Sequence, residues 1–184
     1  MPFNSQDAAR SRFRVQPVIQ GEYRISDQPD VVFSTILGSC VSVGLFDPVA
    51  GIGGLNHYLL PDAGEGGRSD VKYGAMAIEL LINELLKAGA SRTRLRAKLC
   101  GGANIISALG NIGARNAEFG RDFMRREGFP IVAEDLGGVN ARRLQFQPTT
   151  GNAKVFSVPA AQNQSIAAKE RAPHKPKKPD VTLF

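Results

Sequence analysis

Cysteine and histidine are scarce in this chain of 184 residues, which holds two of each: Cys40 and Cys100, His57 and His174. Two cysteines cannot form a disulfide scaffold in a chain of this length. The sequence has no CxxC or HExxH spacing and no cluster of cysteine with histidine, so it argues against a zinc site. We therefore predict a fold that holds itself together without disulfides or metal.

Long apolar segments are also lacking. No run approaches the roughly 20 apolar residues that a membrane-spanning helix needs. The N-terminal segment MPFNSQDAARSRFRVQP contains no apolar signal-peptide core. A composition of 42% hydrophobic and 22% charged residues is typical of a globular domain with a real core. These features predict a soluble protein of the cytoplasm that does not insert into membranes.

Positive charge exceeds negative charge, which gives a formal net charge of +6. Part of the excess lies in KERAPHKPKKP, residues 169–179, whose proline and lysine content is typical of a disordered tail. Such a tail either solvates the C-terminus or offers a basic handle to an acidic partner. Aromatic residues are not interleaved with the basic ones, as stacking on nucleic acid requires, so we predict no nucleic-acid partner.

Strand and helix patterns alternate along the middle of the chain. Eight segments have strand composition: GEYRIS, VVFSTIL, CVSVGLFD, GIGGLNHYLLP, LRAKLCGG, FPIVAEDLGG, ARRLQFQP and KVFSVP. One helix is predicted to end at Gly89, with an apolar stripe formed by Ala77, Leu80, Leu81 and Leu85. A second helical region, interrupted near residues 110–113, is predicted to end at Gly128.

This order predicts an α/β (α+β) fold, a single-domain layered sandwich with a mostly antiparallel mixed sheet and two main helical regions. Residues 1–19 are predicted to be a flexible leader, residues 20–160 the folded domain, and residues 161–184 a disordered basic tail.

Cys40 is the first candidate for chemistry, because a thiolate is a strong nucleophile when its pKa is lowered. Gly38 and Ser39 precede it, and a glycine turn can expose the sulfur and free backbone N–H groups to stabilise an oxyanion. The alternative is simple packing, since free cysteine is among the most buried residue types.

His57 lies on the strand that follows Cys40, beyond the turn DPVAG. A hairpin centred near residues 48–51 pairs position 40 with residues 58–60, which places the imidazole near the thiol. Histidine in that position can deprotonate the thiol and later protonate a leaving amine. A structural role for this histidine is the competing interpretation.

A cysteine–histidine pair needs a third group to orient the imidazole. The polar candidates nearby are Ser34, Thr35, Asp47 and Asp62. Strand alternation places Ser34 on the same face as Cys40, whereas a bulge at Gly38 would favour Thr35 instead.

The remaining candidates are weaker. Cys100 precedes two glycines but has no histidine near it in sequence, so we predict a structural role for it. His174 lies in the predicted tail, which argues against catalysis. The segment CGGANIISALGNIG lacks the glycine order of nucleotide-binding loops, and its glycines are better explained by close packing of helix on sheet.

Five motifs occur in order along residues 20–158: LGSC, GGLNH, GGAN, NIGARN and DLGG. Together with the blocks KYGAMAIELLINELLKAGA and NARRLQFQPTTGNAKV, they resemble the CheD family, the chemoreceptor glutamine deamidases of bacterial chemotaxis. The combination is far more specific than any one motif.

The resemblance implies a Cys–His–Thr hydrolase on an α/β sandwich, with a site similar to that of bacterial toxin deamidases. The implied nucleophile is Cys40 and the implied base is His57, with backbone N–H groups near Gly38 and Ser39 supporting the oxyanion. The implied substrates are glutamine side chains on the cytoplasmic helices of methyl-accepting chemotaxis receptors, which become glutamate. No cofactor is implied, and a CheC-type phosphatase is suggested as a further partner.

The third site residue departs from the family pattern. In family members that read TLGLGSC, a threonine lies six residues before the cysteine, and that position here is Ser34. Thr35 lies five residues before it. From spacing and strand parity we predict Ser34, with Thr35 as the alternative.

Two other functions stay open at this point. One is a non-catalytic adaptor of the same fold that binds receptors or a CheC-type protein. The other is a cysteine hydrolase that acts on a different amide or ester. The presence of both Cys40 and His57 argues against a pure adaptor, which would not need the pair.

Overall fold

The structure, a computed structural model, describes residues 12–60 and 67–172. In these ranges the chain forms nine strands: β1 (Arg14–Pro17), β2 (Tyr23–Ser26), β3 (Val31–Leu37), β4 (Val41–Asp47), β5 (Ile52–Asn56), β6 (Arg96–Gly101), β7 (Ile131–Leu136), β8 (Arg142–Phe146) and β9 (Ala153–Ser157). The same ranges contain three α-helices: α1 (Gly67–Lys87), α2 (Ile112–Glu127) and α3 (Asn163–Arg171). Short 3-10 turns precede two of the helices, at Ser107–Leu109 and at Ala160–Gln162.

The strands are divided between two sheets. The first sheet has the order β1-β3-β8-β9, and the second has the order β2-β5-β4-β6-β7. Pairing is antiparallel except at one edge of each sheet, where β1 runs parallel to β3 and β7 runs parallel to β6. The predicted α/β sandwich with mostly antiparallel mixed pairing is confirmed. The strands form two separate sheets instead of the one mixed sheet that was predicted.

Strand β4 lies at the centre of the molecule and is buried on both faces. Val41, Val43 and Leu45 belong to a core that also contains residues of α1 and α2. Phe46, one position out of phase with that set and so on the opposite face, belongs to a second core, which contains residues of both sheets. Because both faces are covered, β4 has a nearly continuous apolar sequence instead of an alternating one.

All eight predicted strand segments form strands, and both predicted helical regions form helices. Gly89 and Gly128 follow α1 and α2 with positive φ angles of 101° and 75°, a conformation that glycine adopts without strain. One residue of the predicted apolar stripe is misplaced, because Leu80 is 43% exposed. The buried face of α1 is formed by Ile78, Leu81, Ile82 and Leu85.

The structure corrects the predicted leader and tail at their inner ends. Residues Arg14–Pro17 form β1, which pairs with β3, and the following Val18 is buried. Residues Asn163–Arg171 form α3. Backbone hydrogen bonds hold β1 whatever its composition, and α3 needs only two buried apolar side chains to dock, so neither segment has a strong sequence signal. The rest of the predicted leader and tail lies outside the described residues.

No helix in the described ranges is long and apolar enough to cross a lipid bilayer.

Candidate active site

The tripeptide Gly38-Ser39-Cys40 carries the chain from the first sheet to the second. Strand β3 ends at Leu37 and β4 begins at Val41, so these three residues form the whole connection. A Cβ atom at position 38 would lie 2.5 Å from the Ile105 Cδ1 atom and 3.0 Å from the Glu170 Oε1 atom. A larger residue at position 38 would therefore displace the side chains of Ile105 and Glu170.

The hairpin that joins β4 to β5 brings Cys40 and His57 together. Gly44 pairs with Leu55, and the same register continues to an isolated bridge between Val41 and Tyr58. Position 40 is thus opposite position 59, which confirms the predicted pairing with residues 58–60. A ring nitrogen of His57 and the Sγ atom of Cys40 lie within 4.8 Å of each other, and both residues are buried.

Thr35 holds the imidazole. Its Oγ1 atom lies 2.8 Å from His57 Nδ1, and the carbonyl oxygen of Val18 lies 3.3 Å from the same nitrogen. A carbonyl oxygen can only accept a hydrogen bond, so the proton of the neutral ring is assigned to Nδ1. This tautomer leaves Nε2 as the basic nitrogen.

The prediction that Ser34 would orient the imidazole is wrong, and the alternative, Thr35, is the residue in contact. The side chains of Phe33, Thr35 and Leu37 are buried, whereas Ser34 is only half-buried on the other face of β3. Counting alternation from Cys40 fails because the chain leaves the strand at Leu37 and changes sheets before it reaches Cys40. Strand parity applies only within one continuous strand.

The backbone carbonyl groups of the tripeptide are held by neighbouring motifs. Gly102 N–H donates to the carbonyl of Cys40 at 2.7 Å, and Ala103 N–H donates to that of Gly38 at 2.9 Å. The Asn116 side-chain amide donates to the carbonyl of Ser39 at 2.8 Å. The GGAN and NIGARN motifs therefore fix the orientation of every peptide group in the connection.

The N–H groups of the same tripeptide converge on the carboxylate of Glu170, which belongs to α3. Gly38 and Cys40 donate to Oε1 at 2.8 and 3.2 Å, and Ser39 donates to Oε2 from its N–H at 3.0 Å and from its hydroxyl at 2.6 Å. Successive N–H groups that point to one side form a concave cradle for an anion. The cradle is immediately beside the thiol and the imidazole.

Gln20 closes the site from the segment between β1 and β2. Its side-chain oxygen accepts a 3.5 Å hydrogen bond from Cys40 Sγ, and its side-chain nitrogen donates to the backbone carbonyl of Glu170 at 3.1 Å. Gln20 therefore ties the thiol to α3.

The electrostatic environment keeps Cys40 protonated. Burial raises the pKa of the Cys40 thiol well above its ordinary value, and Glu170 raises it further through its charge and a hydrogen bond. Burial also raises the pKa of the other thiol, Cys100, to about 12. Cys100 lies in the core between the two sheets.

Cys40, His57 and Glu170 are the described residues whose side chains could together hold a metal ion, since one donor atom of each lies within 4.8 Å of the others. Two features oppose this use. Both oxygens of the Glu170 carboxylate already accept hydrogen bonds from the cradle, and a raised thiol pKa disfavours the thiolate that binds metal. The three residues fit a hydrogen-bonded arrangement better than a metal centre.

The other polar candidates lie elsewhere. Asp47 is at the far end of β4, where it accepts hydrogen bonds from the N–H groups of Val49, Ala50 and Ser91 and pairs with Arg94. It is a structural turn residue. Asp62 and His174 lie outside the described residues.

Sequence reasoning missed three polar residues of the site: Gln20, Asn116 and Glu170. Asn116 had a signal, because it is the last residue of the NIGARN motif and its side chain is fully buried. Gln20 is at the boundary of the predicted leader, and Glu170 is the one acidic residue within the basic segment 169–179. Neither had a local pattern that indicated a place in the site.

Fold and site together define a layered α/β protein in which a thiol, an imidazole and a hydroxyl meet beside an anion-binding cradle. The family model described as CheD chemotactic sensory transduction matches residues 59–157, and relatives align with nearly the whole chain. The chain belongs to the CheD family.

The relatives include proteins named probable chemoreceptor glutamine deamidase CheD. That of Rhizobium etli (strain CIAT 652) is 47% identical over 90% of this chain and 91% of its own length. That of Agrobacterium fabrum is 46% identical over 91% and 94%, and that of Caulobacter vibrioides (strain NA1000) is 46% identical over 88% and 83%. Likeness to a solved structure is slight. Bacillus licheniformis hypothetical protein YfiH gives a TM-score of 0.42 at 15% identity, over 67% of this chain and 60% of that one.

Proposed function

We propose that this chain is a chemoreceptor glutamine deamidase, which hydrolyses glutamine side chains of chemoreceptors to glutamate and ammonia. The observation that carries the proposal is the cradle of three N–H groups beside the Cys40 thiol and the His57 imidazole. The cradle binds a carboxylate that has the structure of the reaction product, a glutamate side chain. The names of the relatives support the choice of receptor glutamine as substrate.

The first half of the proposed reaction forms a thioester. His57 Nε2 takes the proton of the Cys40 thiol, and the thiolate attacks the carboxamide carbon of the substrate. The negative charge that develops on the carboxamide oxygen is stabilised by the N–H groups of Gly38, Ser39 and Cys40. His57 then donates its proton to the departing nitrogen, and ammonia leaves.

The second half hydrolyses the thioester. His57 takes a proton from water, and the resulting hydroxide attacks the thioester carbon. The oxyanion again lies in the cradle, and its collapse breaks the carbon–sulfur bond. The thiol is restored and glutamate is released, so that one water is consumed for each ammonia formed. Thr35 positions the imidazole through both halves.

The finer features of the proposal come from the resemblance of the sequence to the family. The proposed substrate segments are the cytoplasmic helices of methyl-accepting receptors, and a CheC-type phosphatase remains a predicted partner. The cytoplasm is the proposed compartment, because a reducing environment keeps a catalytic thiol free.

The decisive test incubates the protein with a cytoplasmic fragment of a chemoreceptor and follows glutamine residues by mass spectrometry. We expect conversion of particular glutamines to glutamate, with loss of the conversion in Cys40→Ala and in His57→Ala. Cys100→Ala is the matched control, since it removes the other buried thiol, and it is expected to retain activity.

Full activity of Cys40→Ala would refute the catalytic assignment. Stable binding of the receptor fragment without any conversion would favour the adaptor function instead. Conversion of other amides or esters, with no action on receptor glutamine, would favour a different cysteine hydrolase.

A further inference from the structure

Helix α3 covers the candidate active site. Cys40 has no exposed surface, and His57 and Glu170 are 6% and 7% exposed. No substrate side chain can reach the Cys40 sulfur while Glu170 lies in the cradle. A reaction at Cys40 therefore requires that Glu170 leave its position first.

The contact made by Glu170 is specific. Its carboxylate accepts four hydrogen bonds, three from consecutive backbone N–H groups and one from the Ser39 hydroxyl. Gln20 adds a hydrogen bond to the backbone carbonyl of Glu170. Hydrogen bonds to a charged acceptor are stronger than those between neutral groups. The side chain is held where the carboxyl group of a product glutamate would lie.

The attachment of the helix as a whole is light. Helix α3 has nine residues, and its buried apolar side chains are those of Ile166 and Ala167, which pack with Ile105, Ala141 and Val158. Beside it lies a cavity of about 680 Å³ that is lined by Ile166 and Glu170 on one side and by Thr35 and His57 on the other. A helix this short has little stability by itself. Its hold on the domain comes from Glu170, from Ile166 and Ala167, and from the Asn163 side chain, which donates to the backbone carbonyls of Ile105 and Val139.

We propose that α3 is a built-in inhibitor of this site, with Glu170 acting as a tethered product mimic that must be withdrawn before a substrate can bind. The inhibitory character rests on the proposed deamidase function, whereas the covering of Cys40 by Glu170 does not. Withdrawal of Glu170 frees the three N–H groups for an oxyanion and opens the path to the thiol.

Withdrawal also activates the nucleophile. The charge and hydrogen bond of Glu170 are two of the causes that raise the pKa of Cys40, after burial itself. Their removal lowers that pKa and increases the fraction of reactive thiolate. The covered state is thus both inaccessible and chemically quiet.

The test measures the rate at which iodoacetamide alkylates Cys40 in the folded, full-length protein, with peptides resolved by mass spectrometry. In Glu170→Ala we expect the rate to rise roughly tenfold or more, because several charge-assisted hydrogen bonds that close the site are lost. Ile166→Ala is expected to raise the rate in the same direction, since it loosens the docking of α3. Gln164→Ala changes an exposed position on the same helix and is expected to match the wild type.

Cys100 is an internal reference in every sample, because general loosening of the fold would expose it as well. Hydrogen exchange provides a second measurement, and we expect faster exchange at residues 38–40 in Glu170→Ala. A wild-type alkylation rate of Cys40 in Glu170→Ala, or parallel acceleration at Cys100, would overturn the proposal. A wild-type rate in Ile166→Ala would contradict release of the helix as a unit.

Activity toward a receptor fragment separates this inference from the proposed function. If both hold, Glu170→Ala deamidates the fragment faster than the wild type. If alkylation of Cys40 accelerates in Glu170→Ala but no variant deamidates the fragment, Glu170 does cover Cys40 and the deamidase assignment fails. If the wild type deamidates as fast as Glu170→Ala, the site is active without release and the inhibition is refuted.

Discussion

Replacement of Thr35 by valine isolates the hydroxyl that holds the candidate base. Valine has nearly the shape of threonine, so the change removes the 2.8 Å hydrogen bond to His57 Nδ1 while leaving the buried volume filled. The remaining acceptor at that nitrogen is the Val18 carbonyl, at a longer distance of 3.3 Å. The imidazole is then less firmly oriented, and Nε2 faces the thiol in a smaller fraction of the molecules.

The size of the effect follows from the hydrogen bond that is lost. Loss of one partner from a buried hydrogen bond costs about 1–3 kcal/mol. If that cost is expressed in the transition state, kcat/KM falls by a factor of about 5 to 150, because 1.36 kcal/mol corresponds to tenfold. Thr35→Ser keeps the hydroxyl and is expected to restore most of the activity.

The assay is the steady-state rate of glutamine conversion in a receptor fragment, with thermal unfolding of each variant measured in parallel. Ser34→Ala is the matched control, and its kcat/KM is expected to stay within about twofold of the wild type, because Ser34 lies on the face of β3 opposite Thr35. Wild-type kcat/KM in Thr35→Val would refute the positioning role. Equal losses in Thr35→Val and Ser34→Ala would show a general effect of β3 rather than of one hydroxyl.

Three further predictions follow from the structure. In Glu170→Gln, the introduced amide lies in the cradle beside the thiol, and we expect mass spectrometry to show its slow, concentration-independent conversion to glutamate. The conversion should be absent when Cys40→Ala is added. If the single variant shows no conversion, the side chain at position 170 does not lie where the Cys40 sulfur can attack it. Asn116→Ala leaves the buried Leu60 N–H and the half-buried Ser39 carbonyl without their side-chain partner. It should lower the free energy of unfolding by about 2–4 kcal/mol in urea titrations, and a change under about 0.5 kcal/mol would contradict its bracing role. Burial raises the pKa of Asp47, but Arg94 and three backbone N–H groups outweigh it and hold the pKa well below its ordinary value. The stability that this ionised carboxylate contributes is present above the unfolded pKa of about 4 and is lost as pH falls below it, so the wild type should lose more stability than Asp47→Asn in acid; parallel pH profiles of the two proteins would refute this.

The cysteine–histidine pair could be predicted from the sequence because it depends on local register. The turn DPVAG sets which residues of β4 and β5 face each other, and that register places position 40 opposite position 59. The strand segments and the two helical regions were equally predictable, since composition and periodicity act over short stretches. The assignment of strands to two separate sheets was not, because composition does not say where one sheet ends and the next begins.

The residue that contacts His57 could not be predicted from strand alternation alone. Alternation along β3 correctly separates Ser34 from Thr35, but relating either to Cys40 requires the path of the chain between the sheets. That path is decided by the contacts of Gly102, Ala103 and Asn116, which lie more than 60 residues further along the chain.

Residue types and short spacings were enough to predict eight of the nine strands in the described ranges, the two main helical regions, the β4–β5 hairpin and the family, because each depends on local patterns or on motifs. The hydrogen bond between Thr35 and His57, and the place of Glu170 in the N–H cradle, depend on the tertiary arrangement of sheets and helix. Gly38 and Glu170 are 132 positions apart in the chain, and the basic residues around Glu170 are typical of a solvated tail. A contact across that distance depends on how sheets and helix are arranged in space, which no pattern of neighbouring residues specifies.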